Sequence, residues 1–143
     1  MLENSISNAG KVYFKNGGQY ESFRPKYPQK FIQKISELPL GSQNYLDLAT
    51  GTGQLLFQFH HLFEGLTLGT DVSESMLKAA QKQADDLAAS LKSGQEIKFV
   101  QGDCQKIDEL VNQISPNKKF DLVTIGEAFH WFDMEPLLET LKD

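Results

Sequence analysis

Short apolar runs alternate four times along the chain with segments in which apolar residues recur at every third or fourth position. The short runs predict buried β-strands, and the longer spacing predicts amphipathic helices. Strands are predicted around Leu46 and Leu48, over 66–72, over 97–100 and over 120–126. Because strands that alternate with helices favour a parallel sheet with helices on both faces, the sequence predicts an α/β fold. We expect a three-layer, doubly wound parallel sheet of about four strands.

Helices are predicted over 28–38, after the glycines at 51 and 53, after Ser73 or Ser75, and over 107–114. Pro28 suits the first turn of the first helix, whose apolar face would hold Phe31, Ile32, Ile35 and Leu38. The run over 120–126 is almost wholly apolar, so we expect that strand to be buried on both faces. Residues 1–19 are polar and lack a period, which predicts a mobile N-terminal arm before one domain over 20–143.

Composition and charge narrow the class of protein. The 143 residues carry a net charge of −5, which argues against a general nucleic-acid-binding surface. No apolar run approaches the ~20 residues of a membrane span, and the N-terminus lacks the basic-then-apolar order of a secretory signal. The single cysteine, Cys104, fits a reducing compartment. We expect a cytoplasmic protein that binds neither nucleic acid nor membrane, and no cluster in the sequence has the spacing of a metal site.

The candidate site follows from glycines and acids at the predicted strand ends. Gly51 and Gly53 form a turn where backbone can approach a ligand closely. Asp47, Asp71 and Asp103 lie at or near the ends of the first three strands. Ligands of open parallel sheets bind beyond the carboxyl ends of the strands. An acid there can accept hydrogen bonds from ribose hydroxyls or from an exocyclic amine, so the pattern favours a nucleoside ligand.

Two details argue against a phosphate on that ligand. Gly53 is followed by Gln54 rather than by the lysine and hydroxyl residue of a P-loop. Leu56 stands where a dinucleotide-binding turn has its third glycine, which disfavours a nicotinamide-dependent oxidoreductase. Simple helix capping by the three acids is the alternative structural explanation.

Several segments carry a family resemblance together. They read Y-x-x-x-R-P-x-Y-P over 20–28, D-L-A-T-G-T-G-Q over 47–54, G-T-D-V-S-E-S-M over 69–76 and Q-G-D over 101–103, with F-D-L-V over 120–123 and A-F-H-W-F over 128–132. In this order the chain resembles the class I S-adenosylmethionine-dependent methyltransferases, and within them the trans-aconitate methyltransferase-like branch. The resemblance implies a Rossmann-like methyltransferase fold, S-adenosylmethionine as cofactor, and a small-molecule acceptor such as a carboxylic acid.

The resemblance also implies roles for individual residues. The turn would lie against the methionine part of the cofactor, Asp71 would hold the ribose, and Asp103 would face the adenine amine. Arg24 and His130 become candidate catalytic residues, Arg24 as partner of a substrate carboxylate and His130 as general base. The implied cofactor-binding residues are Tyr20, Asp47, Ala49, Gly51, Gly53, Gln54, Asp71, Val72, Met76, Asp103, Cys104, Glu127 and Ala128.

Two departures from the family pattern lead to further expectations. Ala49 replaces the first glycine of the turn, a change that we expect the turn to tolerate. Family members continue beyond the position of residue 143 into further strands, so we expect this chain to be truncated after the fourth strand and its following helix. An unpaired fourth strand would invite pairing with another chain, which predicts a homodimer through that edge. A non-catalytic cofactor-binding or pairing module is the alternative to an active enzyme.

Overall fold

The structure is a computed structural model that describes residues 28–116, 118–125 and 141, and its centre is a sheet of four parallel strands. These are β1 (Tyr45–Leu48), β2 (Leu66–Asp71), β3 (Glu96–Gln101) and β4 (Leu122–Ile125). Their order across the sheet is β3-β2-β1-β4. The strands alternate with helices, as the sequence predicts, so the expected α/β fold with a parallel sheet is confirmed.

The helices between the strands are α1 (Gln29–Ser36), α2 (Gln54–Phe59), α3 (Glu74–Leu87) and α4 (Ile107–Ile114). Single 3-10 turns cover His60–Leu62, Ala88–Ser90 and Cys104–Lys106. Pro28 precedes the first residue of α1, where its missing N–H leaves no hydrogen bond unmade. Ser73, one of the two predicted capping residues, accepts a hydrogen bond from the Met76 amide and begins α3.

The sheet separates two apolar clusters, because successive side chains of a strand point to opposite faces. Leu46 and Leu48 of β1 face a cluster that includes Leu110 of α4. Tyr45 of β1 faces a cluster that includes Phe59 of α2. This division places helices on both faces of the sheet. Among the described residues, no helix is both long and apolar enough to span a membrane.

The expectation that the fourth strand is buried on both faces is wrong. The fourth strand covers only Leu122–Ile125, and its side chains are half-buried rather than buried on both faces. The reason is its position at the end of the four-stranded sheet, where only β1 pairs with it among the described strands. On α1, Ile32 is buried and Phe31 is 42% exposed, while Leu38, predicted to lie on the same helix, follows its end at Ser36 and is 48% exposed. The helical period predicted the apolar face of α1 but not how much of it the described residues cover.

Candidate functional site

The loops after β1, β2 and β3 lie together at one edge of the sheet, because parallel strands end on the same side. Main-chain hydrogen bonds join these loops beyond the strands. The Thr50 amide donates to the Thr70 carbonyl at 2.8 Å, and the Gly102 amide donates to the Asp71 carbonyl at 2.9 Å. The acids predicted at three strand ends therefore lie at one edge of the sheet.

The turn after β1 is strongly curved, and three of its residues have a positive φ angle. Gly51 and Gly53 have φ of 59° and 90°, and Ala49 has φ of 51°. A side chain at position 53 would collide with the ring of Phe57. Both glycines therefore suit the backbone conformation, and Gly53 is needed for space as well. Ala49 adopts the left-handed conformation that a glycine would adopt more easily.

Asp71 links the turn to the second loop. Its carboxylate is buried and accepts hydrogen bonds from the Gly51 amide at 2.8 Å and the Ser73 amide at 2.9 Å. Charged acceptors make strong hydrogen bonds with backbone N–H groups. One side chain thus holds the glycine turn and the start of α3 in a fixed relation. Helix capping and a ligand-facing position are not exclusive here, because a carboxylate has about four acceptor sites.

Asp47 lies on the inner side of the turn and is 2% exposed. One of its oxygens accepts the hydroxyl of Thr50 at 2.7 Å, and the other accepts the hydroxyl of Thr124 on β4 at 2.6 Å. The Tyr45 hydroxyl lies 2.7 Å from that of Thr124. The sequence analysis did not identify these three hydroxyl residues. Thr50 is only three positions from Asp47 and could have been suspected, whereas Thr124 is distant in sequence and offers no local signal.

The third loop presents one exposed acid and one buried thiol. Asp103 is exposed and accepts the Gln105 amide at 2.9 Å, which begins the 3-10 turn over Cys104–Lys106. The Cys104 side chain instead packs in the apolar cluster that contains Leu110. Burial, together with the nearby charge of Asp103, raises the pKa of the Cys104 thiol to about 11. Asp103 therefore faces solvent at the sheet edge, while Cys104 is a core residue.

The remaining predicted cofactor-binding residues of the described chain differ in accessibility. Val72 is 57% exposed beside Asp71, and its carbonyl accepts the Gln101 side-chain amide at 3.1 Å. Met76 is fully buried, and Gln54, the first residue of α2, is half-buried. Tyr20, Arg24, Glu127, Ala128 and His130 lie outside the described residues.

The packing around Leu56 shows why the turn does not need a third glycine. Its side chain is fully buried against the sheet. A Cβ atom added to Gly69 of β2 would lie 3.0 Å from the Leu56 Cδ1 atom and 2.8 Å from the Phe99 ring. The glycine that permits close packing is therefore on the strand rather than on the helix. Sequence reasoning noted Leu56 but missed Gly69, because the two positions meet only across the helix–sheet interface.

The hydrogen-bond acceptors at this edge suit an adenosyl ligand without phosphate. It offers the carboxylates of Asp71 and Asp103 and the exposed apolar side chain of Val72. No basic side chain lies within the turn over 49–53 to pair with a phosphate. Hydroxyl and amine groups can donate to the carboxylates, whereas a phosphate would be repelled by them. No group of three or more His, Cys, Asp or Glu side chains in the described part of the chain could hold a metal ion.

Residues 46–143 match the sequence model of a family described as methyltransferase domain. A curated relative in Saccharomyces cerevisiae, named "Probable S-adenosylmethionine-dependent methyltransferase CRG1", is 29% identical over 124 residues, which are 86% of this chain and 39% of that protein. The curated relatives that the chain matches are longer, and it spans 35% to 55% of their lengths.

Solved structures give the same fold. An S-adenosylmethionine-dependent methyltransferase from Clostridium acetobutylicum superposes with a TM-score of 0.52 at 25% identity, over 84% of this chain and 43% of that one. A methyltransferase from Thiobacillus denitrificans, solved with S-adenosyl-L-homocysteine, gives a TM-score of 0.55 at 21% identity, over 83% of this chain and 44% of that one. At such identity the second likeness concerns the fold alone.

Proposed function

This chain belongs to the class I S-adenosylmethionine-dependent methyltransferase family, and from that premise we propose that it binds S-adenosylmethionine at the carboxyl edge of β1, β2 and β3 for methyl transfer to a small molecule. The observation that carries the proposal is the arrangement of Asp71 and Asp103. Asp71 binds the amide of the glycine turn, which has no basic side chain, and Asp103 follows the neighbouring strand β3 at the same edge of the sheet. When bound, the cofactor supplies a methyl group on a positively charged sulfur.

Different described residues would bind different parts of that ligand. Asp71 would accept hydrogen bonds from the ribose hydroxyls while it keeps the Gly51 amide in place. Asp103 would accept from the adenine amine, and Val72 would cover the ring. The positive-φ turn would let backbone approach the methionine part of the ligand. Asp71 has acceptor sites beyond the two that hold backbone amides, and Asp103 and Val72 are exposed, which supports these roles.

The acceptor belongs to the same proposal at a finer level. We take it to be a small molecule such as a carboxylic acid, on the resemblance to the trans-aconitate methyltransferase-like branch. Arg24 would pair with the substrate carboxylate, and His130 would act as base where the acceptor must lose a proton. Tyr20, Glu127 and Ala128 would border the cofactor. Positioning of the acceptor in line with the methyl group would supply most of the rate enhancement.

Titration calorimetry tests cofactor binding. S-adenosylhomocysteine and adenosine should bind, while NAD and adenosine monophosphate should bind more weakly because their phosphates approach two carboxylates. Asp103→Ala should weaken S-adenosylhomocysteine binding roughly tenfold, since a hydrogen bond to a charged group is lost. Asp86→Ala removes the same charge from an exposed position of α3 and serves as the matched control. Binding of NAD alone would refute the proposal.

Methyl transfer needs its own measurement. The purified chain, given methyl-labelled S-adenosylmethionine and a panel of small carboxylic acids and amines, should label a carboxylic acid. Labelling that is confined to amines would contradict the acceptor proposal but leave cofactor binding intact. Binding without any transfer would instead favour the non-catalytic module.

A second candidate function is favoured by the position of β4. Only one side of this strand is paired among the described strands, and its side chains are half-buried. Two copies could pair along this edge, so the chain would act as a cofactor-binding pairing module. Light scattering over a wide concentration range should then give a dimer mass. A monomer mass at all concentrations would refute the pairing.

A further inference from the structure

A chain of four side chains connects the edge strand β4 to the glycine turn. It runs from Tyr45 through Thr124 and Asp47 to Thr50. We propose that Thr124 and Tyr45 are positioning residues for the cofactor-binding turn, which they hold through Asp47 and Thr50 without touching the ligand. This inference rests on the proposed function only in its prediction about cofactor affinity. Its prediction about the shape of the turn stands independently.

Strand register brings these residues together. Asp47 of β1 is paired directly with Thr124 of β4, so their side chains point to the same face. Tyr45 lies two residues earlier on β1 and therefore on that face too. Its hydroxyl reaches diagonally to Thr124 at 2.7 Å, and Thr124 reaches Asp47 at 2.6 Å. A shift of one residue in the β1–β4 register would turn Thr124 to the opposite face and break the chain.

The direction of the hydrogen bonds follows from proton counting. Thr124 has one hydroxyl hydrogen and donates it to an Asp47 oxygen, so its own oxygen is left to accept. Tyr45 must then donate to Thr124. Thr50 donates to the other Asp47 oxygen. All the hydroxyl hydrogens therefore point toward the Asp47 carboxylate, whose negative charge strengthens each bond in this buried setting.

The turn depends on this carboxylate because its backbone is otherwise unfavourable. Ala49, Gly51 and Gly53 all have positive φ, so extended conformations compete with the observed one. Thr50 is fixed on both sides, by its amide on the Thr70 carbonyl and by its hydroxyl on Asp47. Without the Thr124 donor, one Asp47 oxygen would lose a hydrogen bond, so the carboxylate would hold Thr50 in a less defined position. The amides of the turn would then no longer lie in one arrangement.

The test compares Thr124→Val, which removes the hydroxyl at nearly constant shape, with Thr124→Ser, which keeps it. Thr67→Val is the matched control, because it makes the same change at a buried position near the start of β2, at the end of that strand away from the glycine turn. Two quantities are measured. These are the backbone amide NMR shifts of Gly51 and Gly53 without ligand, and the affinity for S-adenosylhomocysteine.

Thr124→Val should shift both amide signals and lower the affinity roughly tenfold, while Thr124→Ser and Thr67→Val should leave both near the wild-type values. Unchanged amide signals in Thr124→Val would overturn the inference. If wild type does not bind S-adenosylhomocysteine, the proposed function fails and the amide signals alone decide the inference. Should Thr124→Val not fold, Tyr45→Phe replaces it, because Phe keeps the ring stacked on Phe63 and removes only the donor. In Tyr45→Phe, the amide signals of Gly51 and Gly53 should shift as well.

Discussion

Asp71→Asn should destabilise the protein even when no ligand is present. The Asp71 carboxylate accepts two backbone N–H groups, from Gly51 at 2.8 Å and from Ser73 at 2.9 Å, and it is 6% exposed. Asparagine has one acceptor oxygen, so its NH2 group must face one of these two N–H donors. A hydrogen bond to a charged group contributes about 1.5–3 kcal/mol, and this bond is replaced by a repulsive contact between the asparagine NH2 and a backbone N–H. We therefore expect unfolding free energy to fall by about 2–3 kcal/mol.

Asp103→Asn is the matched control, because the same atoms change at the same edge of the sheet. Asp103 is exposed, and among the described residues its side chain accepts only the Gln105 amide, which the asparagine oxygen can still accept. The unfolding free energy of Asp103→Asn should fall by no more than about 0.5 kcal/mol. Urea unfolding followed by circular dichroism measures both variants, and the Asp71→Asn midpoint should fall by about 1 M at an m-value of about 2 kcal/mol/M. Equal midpoints for the two variants would refute the assigned role of Asp71.

Three further predictions concern the turn, the sheet and the thiol. Ala49→Gly should raise the unfolding free energy by about 0.5 kcal/mol in urea titrations, because relief of a left-handed φ outweighs the added chain entropy. Ala79→Gly within α3 should instead lower the unfolding free energy by about 1 kcal/mol. A change of the same sign in both variants would contradict the reasoning. Gly69→Ala should cost about 1–3 kcal/mol by the same assay, since the new Cβ meets the Phe99 ring, and a loss under about 0.5 kcal/mol would show that the ring yields freely. The pKa of the Cys104 thiol is raised to about 11, so iodoacetamide should label it roughly a hundredfold more slowly at pH 8 than it labels a free cysteine. The labelling rate should rise between pH 9 and 11. In urea, Cys104 should react as fast as a free cysteine.

The raised pKa of Cys104 also determines how the stability of the protein changes with pH. The folded protein holds the Cys104 proton more tightly than the unfolded chain does, because burial disfavours the thiolate. This contribution to stability is complete below the ordinary value of 9.0 and is lost as the pH rises toward 11. A serine at this position would remove that alkaline dependence.

Much of the candidate site could be predicted because its residues follow strand ends directly. Asp71 and Asp103 come at fixed places after β2 and β3, and parallel strands bring such places to one edge. The pattern did not predict that Asp71 would hold the Gly51 amide twenty residues away, because that contact depends on how two loops pack. Nor did it predict that Cys104 points into the core while its neighbour Asp103 faces solvent.

The sequence by itself determined the order of strands and helices and the placement of glycines and acids, since these depend on local period and local backbone preference. Tertiary structure alone decided which side chains meet. It paired Asp47 with Thr124, set Gly69 beneath Leu56, and left β4 half-buried at the end of the described sheet. The physical reason is that period 2 fixes the face of a side chain, whereas register and helix packing fix its partner.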